Sequence, residues 1–317
     1  MRPLLLTLIA IIVAAALVYM AALSGRAAAP APASTAPPDS PRIVVLSPGL
    51  ADILRACDFG PALVGRHAFD AWSDSALPVC GDQSGINYEA LIAARPTHVL
   101  IEWGQRDLPP RLVELATANK WLLKNYPLLT LADIQAAADD IQVSVPPAPH
   151  PPGTPGITPA ARRLRDRFDA AFARRDGLDQ AGRILILYSA KPPTVLGPGS
   201  FHHQILERLG ATPAITEGKP FITLDAEDVL RLKPDGIILI QPRAAGSPAF
   251  PTPRDVGSLK DRLGAVGMLD IPAVRNGHIA LIDDETAALP GPSLAKVGDE
   301  LAEILAVWAR QAGDPAK

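Results

Sequence analysis

The chain has 317 residues, enough for two domains of about 150 residues each. With 48% hydrophobic and 20% charged residues it can bury a large core, which excludes an intrinsically disordered chain. A net charge of −3 gives no electrostatic footprint for nucleic acid, and the two cysteines, Cys57 and Cys80, form neither a CxxC pair nor a zinc-ligand spacing.

Residues 1–28 hold an apolar run preceded by Arg2 and followed by Arg26. That is the pattern of an export signal or, at the length of about 20 residues that crosses a bilayer, of a membrane anchor. Ala27, Ala28 and Ala29 suit cleavage, and no Cys follows the run to carry a lipid. Export would place the rest of the chain in the periplasm or another extracytoplasmic space. A Cys57–Cys80 disulfide is open there; two buried thiols, one on a helix and one on a strand, are the preferred reading. Residues 29–41 are Pro/Ala-rich and read as a tether.

The N-terminal lobe is expected over 42–145. It opens with a strand at 43–46, then Ser47 as N-cap and Pro48 as first helical residue, and a helix closing at Gly60. A strand at 63–65 leads into a polar-aromatic loop, His67 to Trp72. A capped helix around Glu89, a strand at 98–102, a loop at 103–106 and helices near 110–120 and 131–141 complete this lobe. Seven prolines between 146 and 159 mark an insert at 146–158. The connecting segment at 159–182 begins with a helix to residue 176, which buries Leu164, Phe168, Ala171 and Phe172 and leaves its arginines to solvent.

The C-terminal lobe is expected over 183–317, with strands at 183–188, 236–240 and 278–282 and helices after Ser200 and around Glu227. A final helix at 293–310 carries Leu294, Val297, Leu301, Ile304, Leu305 and Trp308 at helical spacing. The alternation of strands and helices gives the fold class: α/β, two similar lobes with parallel central sheets, joined by a single long helix.

The two lobes repeat one pattern. In each, a polar cap (Asn87, Asp225) precedes a Glu (Glu89, Glu227) by two positions. A basic-Pro pair (Arg95-Pro96, Lys233-Pro234) then ends the helix, and an apolar strand follows. Two such lobes suggest a ligand held between them.

These residues, with Pro290-Gly291-Pro292 before the last helix, resemble the periplasmic substrate-binding proteins of ABC importers for iron chelates and cobalamin. Ser293 stands where that motif often has Arg. The resemblance covers nearly all of the chain from Arg42 onward. It implies a non-enzymatic, monomeric protein that captures an iron-siderophore, cobalamin or similar metal chelate in a shallow cleft, without a cofactor of its own. It also implies docking of Glu89 and Glu227 onto an ABC permease dimer.

Ligands of open parallel sheets lie beyond the carboxyl ends of the strands. That rule selects Phe69, Trp72, Gln83, Trp103, Arg106, Tyr188, Phe201, Arg243 and Asp283 as ligand-binding candidates. The aromatics offer flat apolar surface, while Arg66, Arg106 and Arg243 would meet an anionic edge. A rival reading is direct capture of a transition-metal ion by His67, His202 and Asp283. A membrane-tethered sensor that feeds no transporter is another. No Gly-x-Ser-x-Gly elbow or phosphate-loop Lys points to an enzyme.

Overall fold

The computed structural model of the chain describes residues 40–82, 84–145, 159–247 and 255–313. The expected export signal or anchor, the tether as far as residue 39, Gln83 and the Pro-rich insert lie outside the described residues. Among those described, no helix is long and apolar enough to cross a membrane.

Each lobe is built around a sheet. In the N-terminal lobe the order is β4-β3-β2-β1-β5-β6, with β1 (Ile43–Leu46), β2 (Leu63–His67), β3 (Val79–Asp82), β4 (Gly85–Ile86), β5 (His98–Ile101) and β6 (Leu122–Asn125). All neighbours run parallel except β4, which turns back against β3. The second sheet has β7 (Arg183–Ala190), β8 (Pro193–Leu196), β9 (Thr212–Pro213), β10 (Phe221–Thr223), β11 (Gly236–Ile240) and β12 (Ile279–Ile282), in the order β10-β8-β7-β11-β12. Here β7, β11 and β12 are parallel, β9 pairs with the start of β7, and β8 and β10 form an antiparallel edge. Every residue of β1, β5 and β11 is buried, because helices cover parallel sheets on both faces.

The expected caps form. Ser47 accepts from the Leu50 N–H ahead of α1 (Pro48–Ala56), and Asn87 accepts from Ala90 ahead of α2 (Tyr88–Ala93). In the same lobe α3 (Pro110–Asn119) follows β5, and α4 (Leu131–Ser144) starts with a Thr130/Asp133 capping box. After α5 (Pro159–Ala171), Ser200 caps α6 (Phe201–Arg208), and Asp225 with Asp228 forms a capping box for α7 (Ala226–Leu232). Each such cap contributes about 1 kcal/mol. The chain continues through α8 (Val256–Leu263) and α9 (Pro272–Arg275) to the closing helix α10 (Leu294–Gly313).

The connecting helix is shorter than the sequence suggests. It ends at Ala171 rather than near 176: Ala173 bonds back three residues to Ala170, and Gly177 then turns the chain at φ 83° into a 3-10 turn, Leu178–Ala181. Its apolar face is as expected, with Leu164, Phe168 and Phe172 all buried. Gly298 of α10 lets the Phe172 ring lie against the helix backbone, since a Cβ there would stand 2.6 Å from the ring. One core runs from Ile43, Leu50 and Ile53 through these rings to Leu301 and Trp308, so the lobes share packing. Two hydrogen bonds also join them directly: the Ser293 N–H to Asp52 Oδ2 (3.0 Å) and the Leu131 N–H to Gln204 Oε1 (2.9 Å).

Cys57 and Cys80 are free and buried, one closing α1 and the other within β3, and burial pushes both thiols up to about 12. The disulfide left open by the sequence is not made.

The repeat extends beyond its motif. Arg95 and Lys233, the residues before the prolines, both adopt positive φ, 44° and 46°. Behind them, Arg42 donates to the Ala94 and Arg95 carbonyls, and Arg183 donates to the Leu232 carbonyl. In both lobes a guanidinium at the start of the first strand closes the open C-terminal end of the glutamate-bearing helix.

Candidate functional site

The carboxyl ends of β1, β2, β3 and β5 surround a recess of about 210 Å3 in the N-terminal lobe, as expected for a parallel sheet. Its wall includes Leu46, His67, Asp82, Glu102, Trp103 and Arg106. Gly81 and Gly85 also line it, without side chains.

Trp103 is held from several directions. Its N–H donates to Asn125 Oδ1 (2.9 Å), while Asn125 Nδ2 donates to the Gly104 carbonyl (3.0 Å). Its indole Nε1 donates to the Asp107 carbonyl (3.0 Å), and the exposed Arg106 guanidinium lies 4.6 Å from the ring centroid. Asn125, at the end of β6, thus fixes the loop that carries both residues. Glu102 accepts a 2.6 Å bond from the Ser47 hydroxyl, and burial raises its carboxyl above the usual range although that bond pulls the other way. The sequence reading named neither Asn125 nor Glu102 as a site residue.

His67 Nδ1 accepts from the Phe69 N–H (3.2 Å), which assigns the ring proton to Nε2, and burial holds the imidazole below its usual pKa. Asp82 accepts from the Ser84 and Gly85 N–H groups (2.7 and 3.1 Å), which close the β3–β4 turn and hold its carboxyl low. Phe69 is 55% exposed beside His67, and Trp72 is half-buried. The loop between them is anchored by Asp70, wholly buried, whose Oδ1 accepts from Arg55, Trp72 and Ser73.

The second lobe contributes less than the sequence suggests. Tyr188 stands 47% exposed near the end of β7. Phe201, expected in the cleft, is instead buried in the shared core with its ring 4.4 Å from that of His202, because the first residue of α6 turns inward after the Ser200 cap. Arg243 is committed to its own lobe, donating to the Ser247 and Asp283 carbonyls and pairing with Glu285 at 3.3 Å. Asp283 is buried beside it. Arg66 is likewise engaged, by the His67, Ala68 and Asp70 carbonyls. Of the expected cationic contacts, Arg106 alone remains directed to the recess.

The residues of the metal-ion reading are not brought together. His202 is buried and its Nε2 donates to the Ala287 carbonyl (2.7 Å). No group of three or more potential ligands occurs among the described residues. Burial lowers the His202 pKa to about 4, with a stability consequence. The unfolded chain takes up this proton below about pH 6.5, whereas the folded chain does not until about pH 4. Stability should therefore fall as pH drops through that window, by roughly 3 kcal/mol from this residue. His202→Gln should flatten the denaturation midpoint against pH there; an unchanged slope would exclude this origin.

Glu89 and Glu227 are both exposed, each the second residue of its helix.

No protein-family model and no curated protein matches the chain. Solved structures do. A possible iron-binding periplasmic protein from Staphylococcus epidermidis superposes with a TM-score of 0.62 at 18% identity, over 83% of this chain and 98% of its own. The periplasmic heme-binding protein RhuT from Roseiflexus superposes at 0.59 with 22% identity, over 85% and 99%. The periplasmic vitamin B12 binding protein BtuF of Vibrio cholerae superposes at 0.59 with 17% identity, over 86% and 99%. These are named as binding proteins and none as an enzyme, and this chain has their two-lobed periplasmic binding-protein fold.

Proposed function

We propose that this chain is the substrate-binding protein of an ABC importer, exported from the cytoplasm, which captures a metal chelate or corrinoid at the strand ends and delivers it to a permease dimer. The observation that carries the reading is the duplicated helix with its exposed glutamate, reproduced down to the left-handed basic residue and the arginine clamp. A surface repeated on both lobes suits a partner made of two like subunits. Ile86 lines the recess three residues before Glu89, so capture and docking would share one face. Phe69 and Tyr188 keep about half of their surface in water, where a broad, partly apolar ligand would cover them. The separation of His67 from His202 counts against a bare metal ion.

Heme, cobalamin and a ferric trihydroxamate, titrated into the purified protein, test the reading. At least one should quench tryptophan fluorescence. Calorimetry should show its affinity falling by about tenfold in Trp103→Ala, the typical loss of a central aromatic contact. Binding of Zn²⁺ or Mn²⁺ with no response to any chelate would overturn it.

A further inference from the structure

We propose that Glu102 is a specificity-determining residue that accepts a hydrogen bond from the ligand, so that the edge entering the N-terminal recess carries donors (ammonium, amide or hydroxyl) rather than carboxylates. This inference rests on the capture role proposed above.

Glu102 directly follows β5 and lines the recess. Ser47 fixes how it is used. The Ser47 oxygen is the cap of α1 and accepts the Leu50 N–H (3.2 Å), and its hydroxyl proton goes to Glu102 Oε2 at 2.6 Å. One carboxylate oxygen is thereby held. No second hydrogen bond reaches Glu102 among the described residues, which leaves Oε1 to the recess. Burial raises the Glu102 carboxyl, as expected for an acceptor short of partners. The neighbours do not supply one. His67 is occupied by the Phe69 N–H and by the Asp82 backbone, and Asp82 is itself a carboxylate. Arg106, the cation at this site, sits exposed over the Trp103 ring.

The recess is small for a whole chelate: about 210 Å3, against the roughly 300–1,000 Å3 of pockets that enclose drug-sized ligands. It suits one edge or substituent. A carboxylate pushed into it would meet the partly buried Glu102 and, at its exposed side, Asp82, and like charges are disfavoured there. A donor would satisfy Oε1 in a charge-assisted bond and leave any anionic group of the ligand to Arg106 at the rim.

Three ferric trihydroxamates that differ only at one terminus test this: a free ammonium, its N-acetyl amide and its N-succinyl carboxylate. Their affinities for the full chain are measured by calorimetry at pH 7, with heme and cobalamin titrated in parallel. The ammonium and amide forms should bind about tenfold or more tighter than the carboxylate form. Glu102→Gln, checked for folding by its melting curve, should narrow that ratio to about threefold or less, with the carboxylate form gaining. A carboxylate form that binds tightest, or an unchanged ratio in Glu102→Gln, overturns the proposal. The ranking on the unaltered chain decides the matter if the variant does not fold. Binding of heme alone, whose polar edge is carboxylate, also overturns it but leaves the importer reading standing. Binding of cobalamin alone, whose edge carries amide donors, supports it if Glu102→Gln weakens that binding and overturns it if Glu102→Gln does not. Silence of every chelate overturns both.

Discussion

Changing Glu89 and Glu227 together to Lys is expected to reduce ligand uptake by cells to background while ligand affinity of the isolated protein changes by less than about twofold. Both side chains are exposed at the second position of short capped helices, and neither is used in packing. The folding cost is the lost interaction with the helix N-terminus, about 0.3–1 kcal/mol per site, which the Asn87 and Asp225 caps survive. The proposed docking would suffer far more, because each reversal would turn attraction for a basic permease surface into repulsion. Single reversals should give intermediate uptake, since each would remove one of the two proposed docking contacts. Transport and calorimetry on the same variants separate the outcomes. Loss of ligand affinity in step with uptake would place these residues in the binding site and end the docking interpretation.

The features legible in the sequence are those written in local chemistry. Caps at Ser47, Asn87, Ser200 and Asp225 each form the side-chain bond that their residue type announces. The central strands β1, β5, β7 and β11 are apolar runs that only a doubly covered sheet can use. The edges were not legible. Val79–Asp82 mixes exposed and buried residues over four positions, Leu122–Asn125 has one exposed and three half-buried residues, and β8 and β10 depend on pairing with a neighbour that periodicity does not reveal. The strand-end rule points to Trp103 and Arg106, and both line the recess, with the guanidinium over the indole ring. The same rule failed at Phe201, since a residue just past a strand can point inward as readily as outward. It also could not show that Arg66 and Arg243 spend their donors on nearby carbonyls and acids. Glu102 and Asn125 owe their roles to partners 55 and 22 residues away, a pairing visible only once the sheet is assembled.

Arg55→Met should cost about 3 kcal/mol of stability and weaken ligand binding several-fold, although Arg55 does not itself line the recess. Its guanidinium holds the buried Asp70 at 3.1 Å, the Ser73 hydroxyl at 2.9 Å and Asp52 at 3.6 Å. Asp70 in turn accepts from the Trp72 and Ser73 N–H groups, so the loop that presents Phe69 and Trp72 is pinned through it. Removing Arg55 takes from the buried Asp70 carboxylate its ion-pair partner, a defect that costs about 3–5 kcal/mol when fully buried; the quarter exposure of Arg55, and the Arg66 guanidinium on the Asp70 carbonyl, place this case at the low end. Asp52 loses a neighbour as well, and it accepts the Ser293 N–H that joins α1 to the start of α10. A chain of charged groups thus runs from the aromatic loop to the contact between the lobes. Loosening it should raise the entropy that a ligand must overcome on binding. The double variant Arg55→Met, Asp70→Asn should recover part of the stability, because the uncompensated charge is gone, yet should not restore affinity, because the loop remains unpinned. Denaturant midpoints and calorimetric affinities of Arg55→Met, Asp70→Asn and the double variant measure these effects separately. A single variant within about 1 kcal/mol of the parent, or a double variant whose loss is the sum of its parts, would show that water replaces the guanidinium and that the aromatic loop stands without it.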